Sequence, residues 1–195
     1  MRCSKVDGMI SDNELYRLYL DGNVTAYDEL MVRLGDALTA YLFGYLENWQ
    51  DAENLMIEAF ARIMVKRPLI REGNFKAYLY KTARNLAARH HAAKLRMETV
   101  SLDELSEELQ GTGELPESAA EKAEEKETLL RCMGRVAPEL RDVLWLLYYE
   151  EMSYDEAGAV LGVSKKRIDH LAVRARKELR KELEKEGLHK ERTGS

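Results

Sequence analysis

The stretch from Met152 to Arg176 combines basic residues with the spacing of a helix-turn-helix. A short apolar helix is followed by Gly162 and then by Ser164, which suits the N-cap of a longer helix. Between residues 165 and 185, nine Lys or Arg residues stand against four acidic residues, so this helix carries local positive potential. In a helix-turn-helix the second helix enters the major groove and presents its first turns to base edges. The stretch therefore predicts binding to duplex DNA.

Two glycines support this interpretation. Gly158 lies where the two helices must approach closely, and Gly162 can adopt the left-handed conformation that ends the first helix. The residues expected to fill the shared core are Val160, Leu161, Val163, Ile168 and Leu171. The alternative is a solvated C-terminal helix of a bundle, which does not account for the cap-turn-cap spacing.

A second basic stretch, residues 73–97, contains no acidic residue. Its basic residues are interleaved with aromatic and histidine residues, namely Lys76, Lys81, Arg84, Arg89, Lys94 and Arg96 among Tyr78, Tyr80, His90 and His91. A basic helix of this kind suits phosphate contacts together with stacking on unpaired bases. For Tyr78 the alternative is burial in the core.

Helical periodicity predicts the elements that must position these two stretches. In the first half of the chain they are a helix over Asp12–Leu20 with Asp12 as its N-cap, a helix from Val24 to Glu47 that Gly35-Asp36 loosens, a helix opened by Asp51 and stopped by Pro68, a loop over Lys66–Asn74, and a helix from Phe75 to about Met97. Helical patterning resumes near Ala119. The later elements are a helix with Pro138 in its first turn that runs through Glu150, a helix over Tyr154–Leu161 capped by Ser153, and a helix from Lys165 to about Glu186.

The distribution of charge divides the chain into three parts. Residues 22–97 carry a net charge of +3, residues 98–128 carry −9, and residues 129–195 carry +2. We therefore expect an all-α protein with an N-terminal helical domain over 1–97, an acidic flexible linker over 98–121 and a helix-turn-helix domain over 122–195.

Several function classes find no support in the sequence. It contains neither a phosphate-binding loop nor a dinucleotide glycine fingerprint. Its one Glu-x-x-His motif, Glu186 to His189, lies in a polar tail, and the second such motif that a di-metal site needs is missing. Cys3 and Cys132 are too few for a disulfide framework and lack metal-site spacing. We expect no catalytic centre, metal or cofactor. With no apolar run near eighteen residues and no signal peptide, we also expect a cytoplasmic protein without membrane insertion.

Three motifs, taken in order, resemble those of bacterial RNA polymerase sigma factors. The segment from Asp51 to Phe60 is similar to their polymerase-clamp-binding helix, and Tyr78–Leu86 resembles the segment by which the extracytoplasmic-function (ECF) group reads the −10 promoter element. Ala137–Leu144, together with the later Ser153–Glu156 and Arg174–Arg176, is similar to the −35-binding domain of that group.

The resemblance implies a set of site residues and partners. Core RNA polymerase would contact Asp51, Glu53, Asn54, Leu55, Glu58 and Phe60. The melted −10 element would contact Arg71, Asn74, Lys76, Tyr78, Lys81, Arg84, Asn85 and Arg89. The duplex −35 element would contact Ser164, Lys165, Lys166, Arg167, Asp169, His170, Arg174 and Arg176. An anti-sigma factor is a further implied partner.

The recognition helix departs from the family pattern at several positions, two of which change the charge that is expected there. Asp169 occupies a position where a base is expected, and Leu171 replaces an arginine. A carboxylate can accept a hydrogen bond from the amine of cytosine, so Asp169 is a candidate for direct readout. The competing function is a free-standing helix-turn-helix regulator, which would leave the clamp-like helix without a role.

Overall fold

A computed structural model gives the fold of the chain and describes residues 10–70, 74–98, 128–129 and 131–186. Every regular element among these residues is helical, which confirms the all-α prediction. The chain divides into two compact units, one formed mainly by the first four helices and the other mainly by the helices after residue 130. In the described residues, no helix is both long and apolar enough to cross a bilayer.

The helices of the first unit follow the predicted periodicity closely. They are α1 (Asp12–Leu20), α2 (Val24–Leu46), α3 (Trp49–Lys66) and α4 (Phe75–Glu98). Pro68 lies just beyond the end of α3, where Arg67 adopts a left-handed conformation (φ 44°) and closes the helix.

The N-cap of α1 and the first residue of α3 differ from the predicted ones. Ser11, not Asp12, caps α1: its hydroxyl accepts from the Glu14 N–H at 3.3 Å, and the Glu14 carboxylate accepts from the Ser11 N–H at 2.9 Å. Asn48 caps α3 by accepting from the Asp51 N–H at 3.0 Å. Asp12 and Asp51 therefore lie in the first turns of their helices and not at the caps. A carboxylate in a first turn stabilises the helix, because it lies near the positive end of the helix dipole.

Helix α2 runs without interruption through Gly35 and Asp36, where the sequence predicts a looser turn. Gly35 is buried, and a methyl group placed on it would lie 3.7 Å from the sulfur of Met56 in α3. At that distance a methyl group would make an ordinary van der Waals contact. The glycine therefore does not interrupt the helix, although it lowers the helix propensity by about 1 kcal/mol relative to alanine.

Buried tyrosines connect α1 and α2 with the C-terminal half of α3 and the residues after it. Their hydroxyls donate to three backbone carbonyls spaced four residues apart: Tyr27 to Phe60 (2.6 Å), Tyr19 to Met64 (2.9 Å) and Tyr16 to Pro68 (2.9 Å). A buried phenol needs such a partner, and each bond also satisfies a carbonyl. Burial raises the pKa of Tyr16 to about 12.

The helices described after residue 135 are α5 (Pro138–Leu144), a π-helical turn (Trp145–Tyr149), α6 (Tyr154–Leu161) and α7 (Lys165–Lys185), and most of their residues belong to the second unit. Pro138 occupies the first turn of α5, as predicted. The single α-helix expected to run on to Glu150 is wrong in its last part, since the chain widens into the π-turn after Leu144. Residues 143–147 are all buried, which is more than one face of an α-helix can present to a core. The wider turn leaves Tyr148 and Tyr149 exposed.

The predicted linker lies almost wholly outside the described residues, as does the resumption of helical patterning near Ala119. Glu98, the first residue of that linker, is the last residue of α4. The boundaries of the predicted domains at 97/98 and 121/122 stay predictions.

Candidate nucleic-acid interface

The turn between α6 and α7 has the geometry that the sequence predicts. Ser153 and Glu156 form a capping box at the start of α6, with N–H···O distances of 2.8 and 3.2 Å. At its end Gly162 adopts a left-handed conformation (φ 72°), and the Val163 N–H donates to the Gly158 carbonyl at 3.0 Å. A methyl group on Gly158 would lie 2.7 Å from the carbonyl oxygen of Val163, so the predicted close approach is confirmed.

Helix α7 separates its residues into an inner apolar face and an outer polar one. The buried residues are Ile168, Leu171, Ala172 and Ala175. The exposed residues include every predicted −35 contact, namely Ser164, Lys165, Lys166, Arg167, Asp169, His170, Arg174 and Arg176. Ser164 also caps the helix, because its hydroxyl accepts from the Arg167 N–H at 3.3 Å. The fold therefore presents these side chains on the outer surface of one helix.

The part of α7 farthest from the core is a strip of four residues, Lys166, Asp169, His170 and Val173, which we call the outer strip. Lys166, His170 and Val173 recur at steps of four and three and so form one line along a helix of about 3.6 residues per turn. Asp169 lies beside that line, next to His170 in the sequence. Val173 is 54% exposed although apolar. Sequence reasoning missed it, and the same periodicity that placed the polar contacts would have found it. An apolar side chain there can contact a thymine methyl group.

Two basic residues beside the outer strip form ion pairs with other helices. Lys165 Nζ lies 2.8 Å from Asp155 of α6, and an Arg167 guanidinium nitrogen lies 3.3 Å from Glu139 of α5. Both pairs are exposed, and surface pairs contribute at most about 1 kcal/mol. A phosphate can therefore replace either carboxylate at little cost. The acidic partners, Glu139 and Asp155, were not predicted.

Helices α3 and α4 enclose a groove of about 180 Å³ in the first unit. Its lining consists of Arg62, Ile63 and Lys66 from α3 and Tyr78, Thr82, Asn85, Leu86 and Arg89 from α4. Ile63 and Leu86 are buried and form an apolar floor. Above this floor are three basic side chains, one aromatic ring, one hydroxyl and one amide. This combination suits a nucleotide, which has an apolar base, polar edges and an anionic phosphate.

The groove brings together three of the predicted −10 residues, Tyr78, Asn85 and Arg89. Tyr78 is 36% exposed, so the alternative of full burial for this side chain is wrong. The other described residues predicted for this element do not line the groove; they are Asn74, Lys76, Lys81 and Arg84. Arg71 lies outside the described residues.

Sequence reasoning missed the contribution of α3 to this groove. Arg62 and Lys66 are one turn apart on α3, and Thr82 lies between the predicted residues of α4. The guanidinium of Arg62 is held by Glu58, with Nε and Nη2 at 2.9 and 2.7 Å from the same carboxylate oxygen. Arg62 and Lys66 adjoin the buried Ile63, but only the packing of α3 on α4 shows that they face Tyr78.

The segment predicted to bind polymerase forms the first three turns of α3. Glu53 and Asn54 are exposed, Asp51 and Glu58 are half-buried, and Leu55 and Phe60 belong to the core. Two exposed apolar residues, Trp49 and Ile57, were not predicted. The Trp49 ring stacks on Phe43 with 4.4 Å between ring centroids, which holds it at the surface.

The described part of the chain contains no group of three His, Cys, Asp or Glu side chains arranged to hold a metal ion. Cys132 is fully buried in the second unit, and burial raises the pKa of its thiol. It is a small core residue, as its place in an apolar pattern predicts, while Cys3 lies outside the described residues.

Two protein families match the chain, one in each half. The family described as "Sigma-70 region 2" matches residues 30–96, which hold α3, the groove and most of α2 and α4. The family described as "Sigma-70, region 4" matches residues 126–179, which hold the helix-turn-helix. Together the matches cover more than half of the chain.

Curated relatives and solved structures agree with these matches. The ECF RNA polymerase sigma factor SigM of Bacillus subtilis is 26% identical over 78% of this chain and 92% of its own length. SigE of Mycolicibacterium smegmatis, another ECF sigma factor, is 26% identical over 82% of this chain, which spans 62% of that relative. RpoE from Bartonella quintana, solved with the anti-sigma factor NepR, shares the fold with a TM-score of 0.63 and is 19% identical. The match covers 83% of this chain and 98% of RpoE. CnrH, solved with the cytosolic domain of CnrY, shares the fold with a TM-score of 0.62 and is 22% identical. The match covers 89% of this chain and 97% of CnrH.

The family matches, together with the exposed basic helix α7 and the cationic groove of the described residues, define the chain as a DNA-binding regulator of transcription. More narrowly, the chain belongs to the sigma-70 family as a sigma factor of the ECF group, and it functions in transcription initiation. The resemblance found in the sequence is thereby confirmed. A free-standing regulator is not favoured, because it would not need a region 2 segment ahead of its helix-turn-helix.

Proposed function

We propose that this sigma factor docks on core RNA polymerase through α3, holds the melted −10 strand in the groove between α3 and α4, and reads the duplex −35 element with α7. The observation that carries the proposal is the groove, where Tyr78, Asn85 and Arg89 of α4 meet Lys66 of α3. An aromatic ring beside basic side chains suits unpaired, not duplex, nucleic acid.

In the groove each chemical group has a separate task. The Tyr78 ring stacks on a base, which is worth about 1–3 kcal/mol in single-strand binding. The Asn85 amide can donate to and accept from the edge of that base. Lys66, Arg62 and Arg89 neutralise the adjoining phosphates. Since melting a duplex costs a few kcal/mol per unstacked base, capture of the open strand offsets that cost.

The outer strip of α7 provides the −35 readout in this proposal. Lys166 and His170 donate to base edges, Asp169 accepts from a cytosine amine, and Val173 contacts a thymine methyl group. Beside the strip, Lys165 and Arg167 exchange their carboxylate partners for backbone phosphates. Ser164, Arg174 and Arg176 complete the predicted contacts at the two ends of the exposed face.

Polymerase docking uses the exposed side of α3. Glu53 and Asn54 are available there, with Asp51 and Glu58 beside them, and the buried Leu55 and Phe60 keep the helix in place. Trp49 and Ile57 add exposed apolar area next to these polar residues. Aromatic residues of this kind are frequent hot spots in protein interfaces.

The remaining predictions follow from this role. Catalysis belongs to the polymerase, so the chain needs no catalytic centre of its own, and it acts in the cytoplasm, where the promoter and polymerase are. RpoE of B. quintana is solved with an anti-sigma factor, which supports a similar regulatory partner here.

Reconstituted transcription tests the proposal. Purified chain and bacterial core polymerase are incubated with genomic promoter fragments, and start sites are mapped; specific initiation is expected only when both proteins are present. On a mapped promoter, Tyr78→Ala is expected to weaken binding of the non-template −10 oligonucleotide by about 5- to 150-fold.

Tyr148→Ala is the matched control, because Tyr148 is an exposed tyrosine of the second unit. It should bind the −10 oligonucleotide like the wild type. A tight, sequence-selective footprint by the isolated chain, or equal binding by the Tyr78→Ala and Tyr148→Ala holoenzymes, would contradict the proposal.

A further inference from the structure

Helix α1 precedes both of the segments that match known families, yet its residues contact the ends of both helices that form the groove. We propose that α1 is a positioning element for the −10 strand, in which Asn13 and Tyr16 fix the C-terminal end of α3 relative to the N-terminal end of α4. The inference rests on the proposed function of the groove and adds residues that do not touch DNA.

Asn13 holds the N-terminal end of α4. Its side-chain oxygen accepts from the Phe75 N–H at 3.0 Å, across 62 positions of sequence. The first N–H groups of a helix have no partner within the helix, so Asn13 acts as a cap supplied by another element. The Phe75 ring is buried and lies 4.8 Å from the ring of Tyr16, which adds an apolar contact at the same point.

Tyr16 and Tyr19 hold the C-terminal end of α3. The Tyr16 hydroxyl donates to the carbonyl of Pro68 at 2.9 Å, just past the helix, and the Tyr19 hydroxyl donates to the carbonyl of Met64 in its last turn, also at 2.9 Å. Arg67 stacks its guanidinium 4.9 Å above the Tyr19 ring, and its Nε donates to the Tyr19 hydroxyl at 3.3 Å. The last carbonyls of a helix need such partners.

Helix α1 is itself held firmly, so it can serve as a reference for the other two helices. Its N-terminus is closed by the capping box of Ser11 and Glu14. From α2, the guanidinium of Arg33 donates to the Ile10 carbonyl at 2.6 Å and lies 3.6 Å from the Asp12 carboxylate. Leu15 of α1 is buried in the core of the first unit.

These contacts lie within one helical turn of the residues that line the groove. Met64 and Pro68 flank Lys66, and Phe75 is three residues before Tyr78. The separation between the basic side chain of Lys66 and the ring of Tyr78 therefore depends on two anchors that both belong to α1. Loss of the anchors would let the two walls move apart without removing any group that contacts DNA.

The test uses full-length chain assembled with core polymerase and a promoter mapped as above. The variant Asn13→Ala/Tyr16→Phe removes the hydrogen bonds of α1 to the Phe75 N–H and the Pro68 carbonyl. Tyr27→Phe is the control because it removes a tyrosine bond from α2 to an α3 carbonyl, that of Phe60, and leaves both of these α1 bonds in place. Two affinities are measured for each holoenzyme, one for the non-template −10 oligonucleotide and one for a −35 duplex. Each is normalised to the active fraction found by titration.

We expect the double variant to bind the −10 oligonucleotide about two- to tenfold more weakly than Tyr27→Phe, with the −35 affinity unchanged. A hydrogen bond contributes about that factor to the stability of the folded arrangement, and this arrangement of α3 and α4 is what the −10 strand binds. A merely structural role would lower the active fraction and leave both normalised affinities as they are. Equal −10 binding by the double variant and the control, or a parallel loss at both elements, would overturn the inference. If the wild-type holoenzyme fails to bind the −10 oligonucleotide, the proposed function itself is wrong.

Discussion

The substitution Gly158→Ala tests the geometry on which the recognition helix depends. The added methyl group would lie 2.7 Å from the backbone carbonyl oxygen of Val163 and 3.7 Å from a side-chain carbon of Ile168. The first contact cannot be relieved by a side-chain rotation, because the obstacle is backbone. That same stretch of backbone is tied to position 158 by the bond from the Val163 N–H. The turn must therefore shift as a unit.

The magnitude follows from two opposing effects. Overpacking of this kind costs about 1–3 kcal/mol, and a backbone obstacle belongs at the upper end of that range. Alanine returns about 1 kcal/mol through its better helix propensity. We expect the free energy of unfolding of the second unit to fall by about 2 kcal/mol.

Two other glycines in the C-terminal half of the chain provide matched controls. Gly134 is helical and has open space where a methyl group would be added, with no heavy atom within 4 Å, so Gly134→Ala should stabilise by up to about 1 kcal/mol. Gly162 also has open space around it but a φ of 72°, so Gly162→Ala should cost about 1–2 kcal/mol through backbone strain alone. The three substitutions change the same atoms and separate crowding, propensity and strain.

The assay is urea unfolding followed by tryptophan fluorescence. In a Trp49→Phe background only Trp145 reports, and it is buried in the second unit against the ring of Tyr149. With a urea dependence of about 1–2 kcal/mol per molar for a unit of this size, Gly158→Ala should lower the midpoint by about 1–2 M. If Gly158→Ala and Gly134→Ala unfold at the same midpoint, the close approach of the two helices is wrong.

Three further predictions concern the two surfaces and the tyrosine core. Asp169→Ala should change the preference at one G·C pair of the −35 element by about 5- to 150-fold, measured as relative affinities across duplexes with each base replaced; an unchanged preference would rule out direct readout by this carboxylate. Lys66→Gln should reduce the slope of log affinity against log salt for the −10 oligonucleotide by about 0.7. Lys81→Gln, which changes a residue outside the groove, should reduce this slope less. A larger reduction by Lys81→Gln than by Lys66→Gln would place the strand on the other side of α4. The neutral phenol of Tyr16 stabilises the fold fully below pH 10 and less as the pH rises towards its folded pKa of about 12. Over that interval the unfolding temperature of Tyr16→Phe should therefore fall less than that of the wild type, and parallel curves would show that this phenol does not contribute.

Helix existence could be predicted from the sequence because apolar periodicity is a local signal. The starts of α4 at Phe75 and α7 at Lys165 agree with the prediction, as does the capping of α6 by Ser153. The N-cap of α1 also has a local cause. Ser11 and Glu14 have the spacing of a capping box, in which two backbone N–H groups gain partners, and this reciprocal pair outweighs the single carboxylate of Asp12.

The interface was predictable on α7 but only partly in the groove. On α7 the outer strip is one face of one helix, so its residues can be selected by their spacing alone. The groove joins α3 to α4, and no periodicity within α3 indicates that Arg62 and Lys66 face Tyr78. Lys81 has the same charge as Lys66 but lies outside the groove, which only the packing of the helices determines.

Helix α1 shows why the contacts that matter most for positioning are the least visible in a sequence. The bond from the Phe75 N–H to Asn13 and the bond from Tyr16 to the Pro68 carbonyl span 62 and 52 positions, and each joins a side chain to a backbone group. The backbone partner leaves no mark on residue type, since every residue has a carbonyl and all but proline have an N–H. A motif search can therefore find the residues that contact DNA, because their chemistry must match a base or a phosphate. Residues that hold those contacts in place have no such constraint, and they become apparent only when each backbone group at the ends of α3 and α4 is traced to its partner.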